Sequence, residues 1–318
     1  MERRTLGRTG LSIAPLVFGG NVFGWTADEK TSFQLLDAFF DAGLNTIDTA
    51  DCYSGWVDGN SGGESETIIG KWLKQSGRAR DEAIIVTKVG STMQGSGKPG
   101  GLSKKAITEA VENSLRRLQT DYIDLYLSHW PDAETPYEET LAAYDTLLKD
   151  GKVRHVGASN LNATQLREAL DVSAAKNLPR YDVLQPEYNL YDRAGFDGVL
   201  RNLCVSEEIG VITYFSLAMG FLSGKYRSHR DLEGKARGGG IGRYLDGRGM
   251  RILGALDEVA SDTGRTQAEI ALAWIMARKG VTAPIASATS LTQLESLVKA
   301  AATPLSDDAV RLLSEASE

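Results

Sequence analysis

The sequence contains few of the residues that build disulfides, metal centres or basic surfaces. Its 318 residues include 2 cysteines and 3 histidines, with 35 basic against 42 acidic side chains. Two isolated cysteines, Cys52 and Cys204, form no disulfide framework, so we expect a reducing compartment. His129, His155 and His229 show no metal-ligand spacing, and we predict no metal site. The net charge of −7 excludes the basic footprint of a nucleic-acid-binding protein.

Long hydrophobic runs are also missing, which excludes a membrane-spanning helix as a predicted element. Met1 to Gly20 carries arginines, and Ser12 and Pro15 interrupt its apolar positions, so we expect no signal peptide. We therefore predict a cytoplasmic protein that binds a small molecule rather than nucleic acid or a membrane. The sequence leaves its oligomeric state open.

Short β-branched runs alternate with longer amphipathic stretches along the chain. The predicted strands are Leu16–Gly19, Asn45–Asp48, Ala83–Val89, Tyr122–Ser128, Val153–Ser159, Tyr181–Pro186, Gly210–Ser216 and Thr282–Ala286. The predicted helices are Lys30–Ala42, Glu64–Gln75, Ser103–Leu118, Pro136–Lys149, Ala163–Lys176, Phe196–Glu208, Thr266–Arg278 and Leu291–Ala300. Such alternation favours a parallel sheet, and eight βα units fit a closed (β/α)8 TIM barrel. The turn after the first strand, Gly19–Gly24, gives no clean GxGxxG fingerprint, which disfavours an open dinucleotide-binding sheet.

We predict one domain over residues 1–318, with two additions to the eight units. Thr5–Ile13 resembles a small hairpin that caps one mouth of the barrel. Gly220–Met250 is a long glycine-rich loop after the seventh strand, and a further helix, Arg251–Thr263, follows it. Loops of this length are usually functional, and we expect this one to close over a bound cofactor.

The ends of the predicted strands supply the candidate catalytic residues, because a βα barrel places its active site there. Asp48 ends the second strand, Tyr53 follows it, Lys88 lies near the end of the third, and His129 follows the fourth. An ammonium about 4 Å from the phenol oxygen would lower the tyrosine pKa from its ordinary value near ~10 by up to about 3. Asp48 would keep the lysine charged, and His129 would orient a carbonyl oxygen toward Tyr53. This set can protonate a carbonyl oxygen, and a nicotinamide hydride would complete the reaction.

Aromatic and basic side chains lie near the same mouth in the predicted fold. Trp25, Trp56 and Trp130 fall in loops there and are candidates for lining a substrate pocket. Lys225 and Arg227, with Arg230, follow the seventh strand and form either a solvated basic turn or a clamp on cofactor phosphates.

The same residues resemble the aldo-keto reductase family, from about Arg4 to Leu297. The motifs that carry the resemblance follow in the family's order: Gly43–Tyr53, Gly63–Gly70, Val86–Lys88, Asp124–Asp132, Gly157–Asn160 and Gln185–Asn189. Leu217–Gly220 and Leu222–Tyr226 are similar to the longer bacterial members and to potassium-channel β subunits. The chain departs from the family at Phe215-Ser216, where Ser-Pro is common, and at Ser296-Leu297, where Glu-Asn is common.

The resemblance implies a barrel that binds NADPH, with NADH as the alternative, and a catalytic set of Asp48, Tyr53, Lys88 and His129. The resemblance implies that Ser159, Asn160 and Gln185 hold the nicotinamide amide and that Tyr214 stacks on the ring. It implies that Leu217, Gly220, Leu222, Gly224 and Lys225 cover the pyrophosphate and that Ser287, Thr289 and Gln293 bind the adenosine. Further cofactor positions are Asn21, Phe215 and Ser216. We therefore predict NADPH-dependent, reversible reduction of an aldehyde or ketone. Two other interpretations are a nicotinamide-binding module that senses redox state and a Schiff-base lyase that uses Lys88.

Overall fold

Parallel strands close into a barrel in the computed structural model, which describes residues 2–93, 100–235 and 238–318. In these ranges the barrel strands are β3 (Val17–Gly19), β4 (Thr46–Asp48), β5 (Ile84–Val89), β6 (Ile123–Ser128), β7 (Val153–Ser159), β8 (Val183–Gln185), β9 (Gly210–Thr213) and β10 (Ala283–Ala286). Each pairs with the next along the chain, and β10 pairs with both β9 and β3. The predicted (β/α)8 barrel is therefore confirmed.

Helices surround the barrel and bury one face against it. In the described ranges they are α1 (Glu29–Asp41), α2 (Glu64–Gln75), α3 (Lys104–Leu118), α4 (Tyr137–Lys149), α5 (Ala163–Lys176), α6 (Val199–Ser206), α7 (Gly238–Ile241), α8 (Gly247–Thr263), α9 (Gln267–Met276), α10 (Leu291–Ala302) and α11 (Asp307–Ala316). Side chains of Ser103, Asn162, Thr266 and Ser290 accept backbone N–H groups at the starts of four of these helices. These N-caps explain why the helices begin where they do.

A small hairpin, β1 (Arg4–Thr5) with β2 (Ser12–Ile13), covers the end of the barrel opposite the carboxyl ends of its strands. Leu6 and Ile13 belong to the apolar cluster inside the barrel, together with side chains such as Val86. Gly7 is packed so closely that a Cβ there would lie 2.3 Å from the backbone nitrogen of Gly210. The hairpin therefore seals the barrel floor, as predicted, and leaves the other mouth open.

Strand register brings the polar strand ends to one level. Asp48 lies opposite Gly19 on one side and Val86 on the other, and Ser159 lies opposite Gln185. The strands β5 and β6 are buried along their whole length, because helices cover them outside and the barrel core fills the inside. A polar side chain on these strands therefore meets only other protein groups or the open mouth.

Several predicted boundaries were wrong at the ends of the elements. The sixth helix begins at Val199 rather than Phe196, because Gly198 takes a φ of 91° that interrupts the helix. The helix predicted from Arg251 begins one turn earlier, at Gly247. The helix predicted over Thr266–Arg278 ends at Met276. The sequence reading also missed α11, although Ser306 caps it and Asp307 begins it.

The segment Gly220–Met250 is largely folded in the part that the structure describes. It contains short 3₁₀ turns at His229–Leu232 and Gly242–Tyr244 and the single-turn helix α7.

Among the described residues, no helix combines the length and the apolar character that a membrane span requires.

Candidate active site

Lys88 is the centre of a buried hydrogen-bonded cluster at the open mouth. Its Nζ lies 2.8 Å from Asp48 Oδ2, 2.8 Å from the carbonyl oxygen of Thr49 and 2.8 Å from the hydroxyl of Tyr53. The lysine is 0% exposed. An ammonium has three N–H donors, and each has a partner here, which is what a buried cation requires.

Asp48 holds this ammonium in place from the end of β4. One carboxylate oxygen faces Lys88, and the other, Oδ1, accepts a hydrogen bond of 2.7 Å from the Nε2 of Gln185. Burial raises the pKa of Asp48, while the charge of Lys88 and the hydrogen bonds from Lys88 and Gln185 oppose that rise. The carboxylate therefore depends on both partners, and Gln185 is hydrogen-bonded directly to this buried cluster.

Tyr53 keeps its proton more strongly than the sequence argument predicted. Its burial, followed by the nearby carboxylate of Asp48, raises the pKa of the phenol well above the ordinary value. The prediction that Lys88 lowers this pKa was wrong in direction, since it counted the ammonium and left out the lost hydration and Asp48. A phenol that stays protonated at neutral pH is a proton donor, and Lys88 at 2.8 Å would stabilise the phenolate it leaves.

His129 lies beside Tyr53 as a neutral imidazole. The two ring centroids are 6.0 Å apart, and the His129 side chain is 9% exposed. Burial, followed by the charge of Lys88, lowers the pKa of His129 to about 3. Its Nδ1 lies 2.9 Å from Ser91 Oγ and 3.8 Å from Cys52 Sγ. A neutral ring with one nitrogen engaged can offer the other to a substrate oxygen.

A pocket of about 420 Å³ opens next to these groups. Its lining residues are Cys52, Trp56, Gly90, Ser91, Thr92 and Trp130. The indoles of Trp56 and Trp130 are 41% and 49% exposed, so both present free aromatic surface. Trp25 packs edge-on against Trp56 at 5.6 Å and supports it rather than lining the pocket.

The predicted positions for a nicotinamide amide form one cluster in the structure. Asn160 donates from Nδ2 to the carbonyl of His129 at 2.9 Å and accepts from the hydroxyl of Tyr214 at 2.7 Å. Ser159 donates to the carbonyl oxygen of Gln185 at 2.8 Å. Because the Nε2 of Gln185 donates a hydrogen bond to Asp48, the Oε1 of Gln185 is the atom that can accept one from a ligand. The cluster therefore suits the N–H₂ end of a carboxamide, and the residues present fit a nicotinamide.

Backbone conformation is unusual in the segment that follows β9. Phe215, Ala218 and Met219 have φ values of 50°, 48° and 58°, in the left-handed region that side chains rarely adopt. The carbonyl of Phe215 accepts from Asn189, and Ser216 Oγ donates to the carbonyl of Thr213. Strained backbone that neighbouring groups hold in place is typical of a ligand-binding segment. A 3₁₀ helix over Ala218–Ser223 follows in this segment. It contains the predicted positions Gly220 and Leu222, and Leu217 and Gly224 flank it.

The structure separates the residues of the predicted basic clamp. Arg227 makes a bidentate contact with Asp257, at 2.9 and 2.7 Å, so its role is to hold the segment onto α8. Lys225 is exposed, and its Nζ lies 5.0 Å from the ring centroid of Tyr226. Arg230, the third residue of the predicted clamp, is also exposed.

The predicted adenosine positions lie near the start of α10. Ser287 Oγ donates to Asn21 Oδ1 at 2.7 Å, which joins the turn after β3 to the end of β10. Gln293 Oε1 accepts from the backbone and hydroxyl of Thr289. The structure thus brings Asn21, predicted from a distant part of the chain, to the same place as the other three.

Four pocket residues were not predicted from the sequence: Cys52 and the run Gly90, Ser91 and Thr92. The last three follow directly after β5, so the same rule that identified Asp48 and His129 could have found them. Nothing in the sequence signals that Cys52 and Ser91 both approach His129, since that contact depends on the meeting of two loops.

A closed parallel barrel with its buried polar cluster at the carboxyl ends of the strands places the chain among the (β/α)8 barrel enzymes. A family model described as the aldo/keto reductase family matches residues 15–318, and the chain belongs to this family. It is by family an NAD(P)H-dependent oxidoreductase.

Named relatives align over almost the whole chain. The uncharacterized oxidoreductase YrpG of Bacillus subtilis is 34% identical over 323 residues, covering 99% of this chain and 95% of YrpG. The aldo-keto reductase YhdN of the same organism is 33% identical over 306 residues, covering 93% and 88%. A probable voltage-gated potassium channel subunit beta of Oryza sativa is 34% identical over 308 residues, covering 94% and 91%.

Proposed function

We propose that this protein reduces an aldehyde or ketone to an alcohol with NADPH, in a reversible reaction. The observation that carries the proposal is the contact between Lys88 and Tyr53, in which a fully partnered ammonium lies 2.8 Å from a protonated phenol. A group placed in this way can deliver a proton to an oxygen on which negative charge develops. The bound NADPH would supply the hydride to the carbonyl carbon.

Each polar residue of the cluster then has a separate task. Tyr53 gives its proton to the carbonyl oxygen, and Lys88 stabilises the phenolate that results. Asp48 keeps Lys88 charged and oriented. When Ser91 donates its hydroxyl to Nδ1 of His129, the ring carries its proton on Nε2 and can donate it to the same carbonyl oxygen. The exposed indoles of Trp56 and Trp130 would pack against the substrate.

The cofactor would lie across the mouth from the amide cluster to α10. Ser159, Asn160 and Gln185 would hold the carboxamide, and Tyr214 would pack on the ring. Phe215, Ser216 and the turn through Leu217, Gly220, Leu222, Gly224 and Lys225 would cover the pyrophosphate. Asn21, Ser287, Thr289 and Gln293 would hold the adenosine. Titration with NADPH and NADH, followed by protein fluorescence, tests both the binding and the preference.

The Schiff-base alternative does not fit the surroundings of Lys88. A lysine nucleophile must be neutral and reachable, whereas this one is 0% exposed and donates to Asp48, Thr49 and Tyr53. The sensing alternative is favoured by the similarity to a probable channel subunit. Steady-state turnover with a panel of aldehydes and ketones separates a reductase from a protein that only binds the nicotinamide.

The Tyr53→Phe variant tests the proposal, since it removes the proton and keeps the ring. We expect turnover to fall by about 10²- to 10⁴-fold, the usual contribution of a general acid, while NADPH affinity changes little. Tyr137→Phe, at a partly buried tyrosine that begins α4 and lies outside the site, is the matched control and should behave as the wild type. Full activity of Tyr53→Phe would reject the assignment.

A further inference from the structure

Asp51, Cys52 and His129 bring three kinds of metal ligand to one place beside the pocket. A carboxylate oxygen, the thiol sulfur and a ring nitrogen lie within 4.8 Å of one another. Asp51 and His129 are buried, at 4% and 9% exposure, and Cys52 is partly exposed. This group forms because Asp51 and Cys52 are neighbours in the chain and their loop meets the end of β6, where His129 lies.

The distances suit a small cation after a modest adjustment. In a tetrahedral zinc site, bonds of about 2.3 Å to sulfur and 2.0–2.1 Å to nitrogen place those two atoms about 3.6 Å apart. Cys52 Sγ and His129 Nδ1 are 3.8 Å apart. The carboxylate of Asp51 is the ligand that has to move, by up to about 1.5 Å.

A second observation points to a ligand at this place. Asp51 Oδ1 is buried and has no hydrogen-bond partner, which is costly for a carboxyl oxygen. Cys52 also lines the open pocket, so a cation can reach the thiol from solvent. The nearby charge of Lys88 is paired with Asp48 and therefore only partly opposes a cation. The hydroxyl of Ser91 contacts Nδ1 of His129, so the Ser91 side chain would have to rotate away when a cation binds there.

We propose that Asp51, Cys52 and His129 form a binding site for a borderline-soft divalent cation of the zinc class. The protein supplies three ligands, and the fourth position faces the pocket, where water completes the tetrahedron. On coordination the Cys52 thiol, and the Asp51 carboxyl where it is protonated, release their protons to the buffer. The cation would bind Nδ1 of His129 and leave Nε2 free. It would compete with a carbonyl substrate because its fourth ligand occupies the pocket that the substrate needs. Only this last statement rests on the proposed reductase function.

Cadmium titration of the full-length, tag-free protein tests the site without any assay of activity. A cadmium–thiolate bond gives an ultraviolet charge-transfer band, and we expect one cation per chain in the wild type. Cys52→Ser should abolish the band. Cys204→Ser is the matched control, because Cys204 is the other cysteine and is 0% exposed, and it should retain the band. A wild type without the band, or a band that survives Cys52→Ser, overturns the site.

Zinc calorimetry and kinetics test the remaining two ligands and the overlap with substrate. Asp51→Asn should weaken zinc binding at least tenfold, and unchanged affinity would remove Asp51 from the site. Zinc should raise the KM for the carbonyl in the wild type and in Cys204→Ser, and a chelator should restore it. Cadmium binding without any zinc inhibition overturns the overlap. If the protein turns over no carbonyl compound, the reductase proposal fails while the cadmium band still decides the metal site.

Discussion

Gln185 donates a hydrogen bond of 2.7 Å from its amide nitrogen to Oδ1 of Asp48. Asp48 in turn contacts Lys88, and Lys88 contacts Tyr53, each at 2.8 Å. The residue proposed to hold the nicotinamide amide is thus joined to the proposed proton donor through two intermediates. Because a carboxylate only accepts, Asp48 also fixes which end of the Gln185 amide faces the ligand.

Gln185→Met should therefore impair both cofactor binding and turnover. It leaves Asp48 Oδ1 without a buried partner, which costs about 1–3 kcal/mol and corresponds to roughly a 5- to 150-fold loss of kcat/KM if it falls on the transition state. Steady-state kinetics and fluorescence titration with NADPH measure the two effects. Gln75→Met, at the exposed end of α2, is the control. Wild-type kinetics in Gln185→Met would contradict the link.

Lys88→Met should abolish activity and also weaken the fold. It leaves the buried carboxylate of Asp48 without its cation, and breaking a buried pair from one side costs about 3–5 kcal/mol. The double variant Lys88→Met with Asp48→Asn should recover most of this free energy of unfolding without recovering turnover. Urea unfolding and steady-state assays measure the two quantities. Equal instability of the single and double variants would show that the pair is not the cause.

Arg243→Ala should loosen the segment that follows β9. Arg243 contacts Glu187 at 2.9 Å and Asp192 at 3.2 Å, and so fastens this segment to the loop after β8. Since the arginine is half exposed, we expect only about a two- to fivefold faster cleavage by protease. Bound NADPH should slow the cleavage in the wild type.

Arg311→Ala is the control for that comparison, because Arg311 is also an exposed, ion-paired arginine but lies on α11. It should leave the cleavage rate within the segment unchanged. Equal rates in the wild type and Arg243→Ala, or no protection by NADPH, would count against a segment that is fastened over the cofactor.

Gly7→Ala and Gly10→Ala form a matched test of the barrel floor. Both glycines have positive φ, at 55° and 72°, so alanine is strained at either position. At Gly7 the new Cβ would also meet backbone atoms at 2.3 and 2.8 Å, whereas at Gly10 nothing lies within 4 Å. Unfolding should show a loss of about 1 kcal/mol for Gly10→Ala and clearly more for Gly7→Ala. Similar losses would mean that the close packing of the hairpin contributes little.

The barrel could be predicted because its strands are buried on both faces and therefore appear in the sequence as unbroken apolar runs. Val153–Ser159 was predicted with the boundaries that the structure shows, since Gly151 and Asn162 bracket it clearly. The start of α6 depended on the positive φ of Gly198, which the apolar pattern around it does not reveal. The sequence reading missed α11 because it lies beyond the eight repeating units.

The candidate site could be predicted from strand ends, but its energetics could not. Asp48, Lys88 and His129 follow from the rule that barrel sites lie at the carboxyl ends of strands. The rise in the pKa of Tyr53 depends on how completely the protein surrounds its hydroxyl, which is a property of the assembled fold. The proposed cation site was not predicted either, because the spacing of histidines says nothing about a cysteine and an aspartate that meet one of them in space.

Transfer of deuterium from NADPH that carries deuterium at both C4 positions tests the central claim most directly. With a reducible aldehyde, we expect the wild type to form an alcohol that carries one deuterium on its carbinol carbon, as measured by mass spectrometry. Tyr53→Phe, with NADPH bound normally, should form almost none. An alcohol without deuterium, or a Tyr53→Phe variant that forms the labelled product at the wild-type rate, would contradict hydride transfer with Tyr53 as the proton donor.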